Sequence, residues 1–217
     1  MDLAAYLTFT FILVITPGST TAVVVRNTLS AGRMGGLAAA LGAATGNSTH
    51  ATAASLGLAV VFARWPIALS VLRVAGAGYL AWLGVNSLWR VLQHPDGGLA
   101  LLTSSEQRPR AAHRGSFRQG LTVNLLNPAI ATFYLVVVPS FIPAGASRGR
   151  FVILAAIHVM MALFFHAMWA VALDTLRQMF KPPLARRMLE AATGIALIGL
   201  AMRVLTATAK AVASPGG

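Results

Sequence analysis

The chain has 217 residues, 57% of them hydrophobic and 10% charged, with a mean hydropathy of +0.72; soluble domains carry roughly 25% charge, so this chain belongs in a membrane. Its 17 Lys and Arg give a net charge of +12, yet they lie mostly between apolar runs, as in membrane proteins, which argues against nucleic acid as a partner. The absence of cysteine removes disulfides, thiolate metal sites and thiol-redox relays together.

The first apolar run covers residues 3–25. Asp2 precedes it without a basic segment, and the run is about twice the length of a signal-peptide core, so it is read as a retained membrane segment. Thr16, Pro17 and Gly18 interrupt it. Pro17 removes an amide donor and clashes with the carbonyl four residues back, while Gly18 tolerates backbone angles other residues resist. Gly18, Ser19, Thr20 and Thr21 are then expected to open a second half-helix, offering free N–H groups and three hydroxyls to an anionic group such as a carboxylate. A simple proline kink is the structural alternative.

The second run, 35–62, holds Gly42 and Gly46 in a small-xxx-small seam that lets another helix approach. Asn47, Ser48, Thr49 and His50 follow as a polar patch. An intramembrane histidine titrates near neutral pH and is a proton-coupling candidate, although it could equally donate to a carbonyl. Asn47-Ser48-Thr49 also matches a glycosylation acceptor, rejected because it falls inside a span. In the third run, 67–89, Arg73 is expected to snorkel to the interface, and Tyr6, Trp65, Trp82 and Trp89 include candidate interface anchors.

Residues 119–142 hold 24 positions without a formal charge, with Asn127 and Pro128 in the middle. An uncharged run longer than about 18 residues reads as a bilayer span, and a proline inside it frees carbonyls that lipid cannot satisfy. Asn124 and Asn127 are two amides at membrane depth, where an unpaired amide costs roughly 2 kcal/mol or more. They either bond across helices or line a substrate path. In the fifth run, 151–173, His158 and His166 lie roughly 80° apart and about 12 Å along the axis. They cannot share one metal, and packing beside Phe164, Phe165 and Trp169 is preferred over a water-bridged relay. Asp174 reads as a helix-surface partner of Arg177. The sixth run, 188–208, is interrupted by Glu190 and Arg203, whose side chains must reach the headgroups.

The expected fold is an all-α integral membrane protein of six transmembrane helices. Residues 1–90 form one three-helix half, 91–117 a polar linker loop, and 118–217 the second half, with helices 1 and 4 broken. The first, third and fifth connections carry eleven basic residues and the other side six, so the loop 91–117 is expected in the cytoplasm and both termini outside. Two three-span halves are then oppositely oriented, and matched helix breaks mark the substrate site of such carriers.

Thr16-Pro17-Gly18, the stretch Gly35 to Leu58 with its spaced glycines and His50, and Gly120 to Pro139 together resemble the LysE/RhtB family of amino-acid exporters over nearly the whole chain. The resemblance implies a cytoplasmic-membrane carrier expelling amino acids or related metabolites, driven by the proton gradient or membrane potential. Two departures stand out. Ser19 replaces the second proline of the family's Pro-Gly-Pro, and Asn47 stands where many members carry an acid, which shifts attention to His50 as the titrating group.

The expected substrate is a small zwitterion, its carboxylate near Gly18 to Thr21 and its amine among Asn47, Asn124, Asn127 and freed carbonyls. Gly46 and Pro128 complete this site. None of the five Asp and Glu falls mid-span, so a dibasic substrate would lack a charge partner and neutral amino acids of the threonine or homoserine type are favoured. No cofactor or metal is expected, and the glycine-rich faces are compatible with a homodimer in the lipid bilayer. The rival readings are a structural or lipid-handling subunit, which leaves the paired breaks unexplained, and a Ser-His hydrolase built on Ser19; the chain is read as a non-enzyme.

Overall fold

The computed structural model describes residues 3–57, 66–93, 109–143, 147–179 and 183–213. Every regular element in them is helical: α1 (Leu3–Ile15), α2 (Ser19–Ser55), α3 (Pro66–Gln93), α4 (Pro109–Leu125), α5 (Pro128–Ser140), α6 (Arg148–Met179) and α7 (Pro183–Ala213). Two stretches, Gly149–Leu176 and Ala191–Lys210, are long and apolar enough to cross a membrane alone. Two bent pairs pass the same test together, α1 with α2 at 46° and α4 with α5 at 55°. Their joints lie at Thr16-Pro17-Gly18 and at Leu126-Asn127, where the two prolines cancel helical donors.

Two expected boundaries differ. The connection expected at 26–34 is helical, and the chain reverses within α2 at Ala31 (φ −127°, ψ 17°) and Gly32 (φ 69°, ψ −170°). Positive φ at Gly32 costs no Cβ clash, so one residue makes the turn that a loop was expected to make. The linker expected at 91–117 is helical up to Gln93 and again from Pro109. Proline is tolerated at a helix start, and Ser116, ahead of the apolar run, is buried, so packing extends the helix beyond that run. Residues 94–108 lie outside the described ones.

The centre is a crossing of α2 with α4. A β-carbon on Gly42 would fall on the Phe117 carbonyl oxygen, and one on Gly120 would fall on the Ala39 carbonyl oxygen; only glycine lets the backbones touch there. Gly35 lies beside Ser116 and Gly46 beside Asn124, so the two helices run parallel. Around this pair, Val23, Ala77, Leu80, Leu83, Val123, Leu197 and Ala201 form one core shared by α2, α3, α4 and α7. Tyr6, Phe133, Tyr134, Val138, Leu154 and Ala155 form another, between α1, α5 and α6. Tyr6, a candidate interface anchor in the sequence, is fully buried and donates to the Leu154 carbonyl at 2.7 Å. Trp82 and Trp89 are exposed, as anchors are, and Trp65 lies outside the described residues.

Candidate functional site

The two helix breaks meet. Asn127 Nδ2 donates to Ser19 Oγ at 3.1 Å, and Asn127 Oδ1 accepts from the Ala129 amide at 3.0 Å. One side chain thus caps its own half-helix, α5, and reaches the first residue of the other, α2. The start of α2 is open by contrast: Gly18 is extended and caps nothing, and the first intrahelical bond runs from Ala22 N to Gly18 O at 2.9 Å. Among the described residues none accepts from the amides of Ser19, Thr20 or Thr21, which leaves an uncapped helix start with its partial positive charge.

A cavity of about 380 Å³ lies at this meeting point. Pro17, Gly18, Ser19, Thr20, Thr21, Asn47, Asn124 and Asn127 all line it, so eight of the eleven residues singled out in the sequence share one space. Thr20 Oγ1 there is buried and without a partner. Leu13 and Val14, near the end of α1, also line the cavity; carbonyls of a last helical turn are acceptors without helical donors. Donors and acceptors therefore flank one volume, and among the described residues no Asp or Glu lines it.

The other three residues sit behind this wall. Asn124 Nδ2 donates to Asn47 Oδ1 at 2.9 Å across the α2–α4 crossing, while Asn124 Oδ1 is buried without a partner among the described residues. Gly46 makes room for them: a β-carbon there would stand 2.6 Å from Asn124 Oδ1. Pro128 begins α5 and lines a neighbouring cavity of about 490 Å³ that also holds Arg73 and Thr132. His50 is outside the central lining, half-buried, with Nε2 at 3.1 Å from the Asn124 carbonyl oxygen. That carbonyl lies four residues before Pro128 and has lost its i+4 amide; the Asn127 amide at 3.0 Å and His50 Nε2 both donate to it instead. Because Nε2 carries this hydrogen, Nδ1 is the atom left to take a proton. Ser48 and Thr49 bond back to Ala44 and Thr45 of their own helix and do not turn to the site.

Sequence reasoning missed the placement of four residues. His158 and His166 both line the cavity, although packing was preferred for them. His166 Nε2 lies 3.4 Å from Thr21 Oγ1, and His158 Nδ1 lies 2.6 Å from the Tyr134 hydroxyl. Tyr134 faces His158 from a π-helical turn, Phe133–Val137, which no residue pattern announces. Arg26, counted at the membrane surface, is buried and donates from Nη1 to Gln119 Oε1 at 2.6 Å; Asn27 Nδ2 shares that acceptor at 3.1 Å. The side chain of Arg177, the expected partner of Asp174, lies outside the described residues.

Comparison with known proteins gives the same direction. The family model of the LysE type translocator matches residues 11–208. The uncharacterized membrane protein YrhP of Bacillus subtilis is 31% identical over 204 residues, covering 93% of this chain and 97% of its own. An uncharacterized membrane protein of Vibrio cholerae is 30% identical over 209 residues, 95% of this chain and 97% of its own. The homoserine/homoserine lactone efflux protein of Salmonella typhi is 29% identical over 191 residues, 88% of this chain and 89% of its own. No solved structure matches. With a family match spanning both helix breaks and nearly the whole chain, this protein belongs to the LysE type translocator family.

Proposed function

We propose that the chain exports small zwitterionic amino acids of the neutral, threonine or homoserine type across the cytoplasmic membrane, driven by the proton gradient or the membrane potential. The observation that carries this reading is the bond from Asn127 to Ser19, which joins the two helix breaks at the edge of a cavity of about 380 Å³, within the usual range of small-molecule sites. A substrate carboxylate meets the open amides of Ser19, Thr20 and Thr21, and its amine meets the Leu13 and Val14 carbonyls and the amide side chains of Asn47, Asn124 and Asn127. Among the described residues no carboxylate lines the cavity, so a second positive charge on the substrate would go unpaired in low dielectric. The name of the Salmonella typhi relative, an efflux protein for homoserine and its lactone, supports the same substrate class.

Six spans in two inverted halves fit the packing. The parallel run of α2 and α4 is what spans two and four require, and the reversal at Gly32 divides α2 between spans one and two. On α3, Val71, Val74, Trp82, Val85 and Trp89 are each more than half exposed, an apolar belt suited to lipid. The basic residues favour a cytoplasmic loop between the halves and both termini outside. His50 is the proposed coupling group, with Nδ1 as its proton acceptor beside the second break.

The test is flux from proteoliposomes loaded with labelled amino acids, with and without an imposed pH gradient. Selective, gradient-sensitive efflux in the wild type, abolished by Pro17→Ala, is expected. Absence of flux for every amino acid of the panel would defeat the reading, and lysine as the preferred substrate would overturn the site.

A further inference from the structure

We propose that His158 is a specificity-determining donor of the central cavity, presenting Nε2–H to the substrate carboxylate, and that Tyr134 is the positioning residue that holds it in that form. This inference rests on the exporter reading and adds two residues that neither the family match nor the relatives' names assign.

The argument starts from the proton inventory. Tyr134 is fully buried, His158 is 1% exposed, and the only partner of the Tyr134 hydroxyl among the described residues is His158 Nδ1 at 2.6 Å. A buried hydroxyl hydrogen without an acceptor is costly, so Tyr134 donates and Nδ1 accepts. A neutral imidazole that accepts at Nδ1 carries its hydrogen on Nε2. The ring is held from the side as well, with Phe133 packed at 4.3 Å between centroids. Both aromatic residues belong to the π-helical turn Phe133–Val137, and such turns recur where a helix must aim side chains at a function. His158 lines the cavity that Ser19, Thr20 and Thr21 line from the opposite helix. A fixed N–H therefore lines the same cavity as the open amides of α2, and donors on both walls suit an anionic oxygen.

Homoserine and homoserine lactone make a suitable probe pair, because the lactone keeps the amine and lacks the carboxylate. KM for both is measured in proteoliposomes for wild type, Tyr134→Phe, His158→Phe, His158→Gln and the double variant Tyr134→Phe/His158→Gln, with melting temperatures to confirm folding. His158→Phe keeps the ring and should raise KM for homoserine about tenfold, the loss of one charge-assisted bond, and KM for the lactone less. Tyr134→Phe should raise it about threefold by freeing the other tautomer. His158→Gln, whose amide N–H needs no partner to fix it, should stay within about threefold of wild type. In that background Tyr134→Phe should add nothing, a non-additivity that a purely structural tyrosine would not produce. Should His158→Phe fail to fold, the other three variants still decide. The inference falls if wild type carries homoserine and Tyr134→Phe either leaves KM and the homoserine-to-lactone ratio unchanged or acts equally in both backgrounds. Wild-type vesicles that carry no amino acid at all would instead remove the exporter reading, and this inference with it.

Discussion

Replacing Asn127 separates two jobs held by one side chain. Its Oδ1 caps α5 through the Ala129 amide, and its Nδ2 bonds Ser19 across the two breaks. Loss of an N-cap costs about 1 kcal/mol, and a cross-helix bond in a membrane bundle averages about 0.6 kcal/mol. Asn127→Ala should therefore destabilise the fold by about 1.6 kcal/mol, a factor of about 15 in the folded-to-unfolded ratio. Asn127→Ser keeps a good cap but is too short to reach Ser19, so it should lose only about 0.6 kcal/mol. Ser19→Ala should lose a similar amount from the other side. Since both remove the same bond, the double variant Ser19→Ala/Asn127→Ser should be no worse than either single one. The assay is denaturant unfolding in detergent followed by tryptophan fluorescence. Full additivity of the two losses would mean that the brace contributes nothing and that the breaks are held together by other contacts.

Gly46→Ala puts a methyl 2.6 Å from Asn124 Oδ1; overpacking of this kind costs about 1–3 kcal/mol, and a second change, Asn124→Ser, should recover part of the lost melting temperature. His50→Gln keeps a donor near the Asn124 carbonyl but cannot take up a proton, so efflux should persist while its response to an imposed pH gradient is lost; an unaltered response would clear His50 of coupling. Gln119→Leu removes the acceptor shared by Arg26 and Asn27 and should lower stability by about 1–3 kcal/mol, read as a shift in the thermal unfolding of the purified chain.

Both breaks were legible in the sequence because a proline in an uncharged run has few physical outcomes. Their residues, Thr16 to Gly18 and Asn127, required only local chemistry. Other features depend on what a residue faces, which periodicity does not report. His158 and His166 were expected to pack because Phe164, Phe165 and Trp169 lie beside them in the sequence, yet the cavity is lined by both. Arg26 was assigned to a surface loop because nothing marks Gly32 as a one-residue reversal rather than a loop start. The helix continues past Arg26 and carries it inside. The π-helical turn at Phe133–Val137 has no compositional sign at all; its apolar residues would suit an ordinary α-helix equally.

The contact of Gly42 and Gly120 with the facing backbones makes the crossing of α2 and α4 a fixed origin from which residues are counted. Asn124 comes four positions after Gly120, Asn127 seven and Pro128 eight. One residue inserted in that interval would turn everything beyond it by about 100° and advance it by about 1.5 Å, sending Asn127 away from Ser19 and Asn124 away from Asn47. The same holds between Gly42 and His50. These two short stretches should therefore admit substitutions but no change of length, and a one-residue insertion scan should find them far less permissive than the ends of α3 and α7.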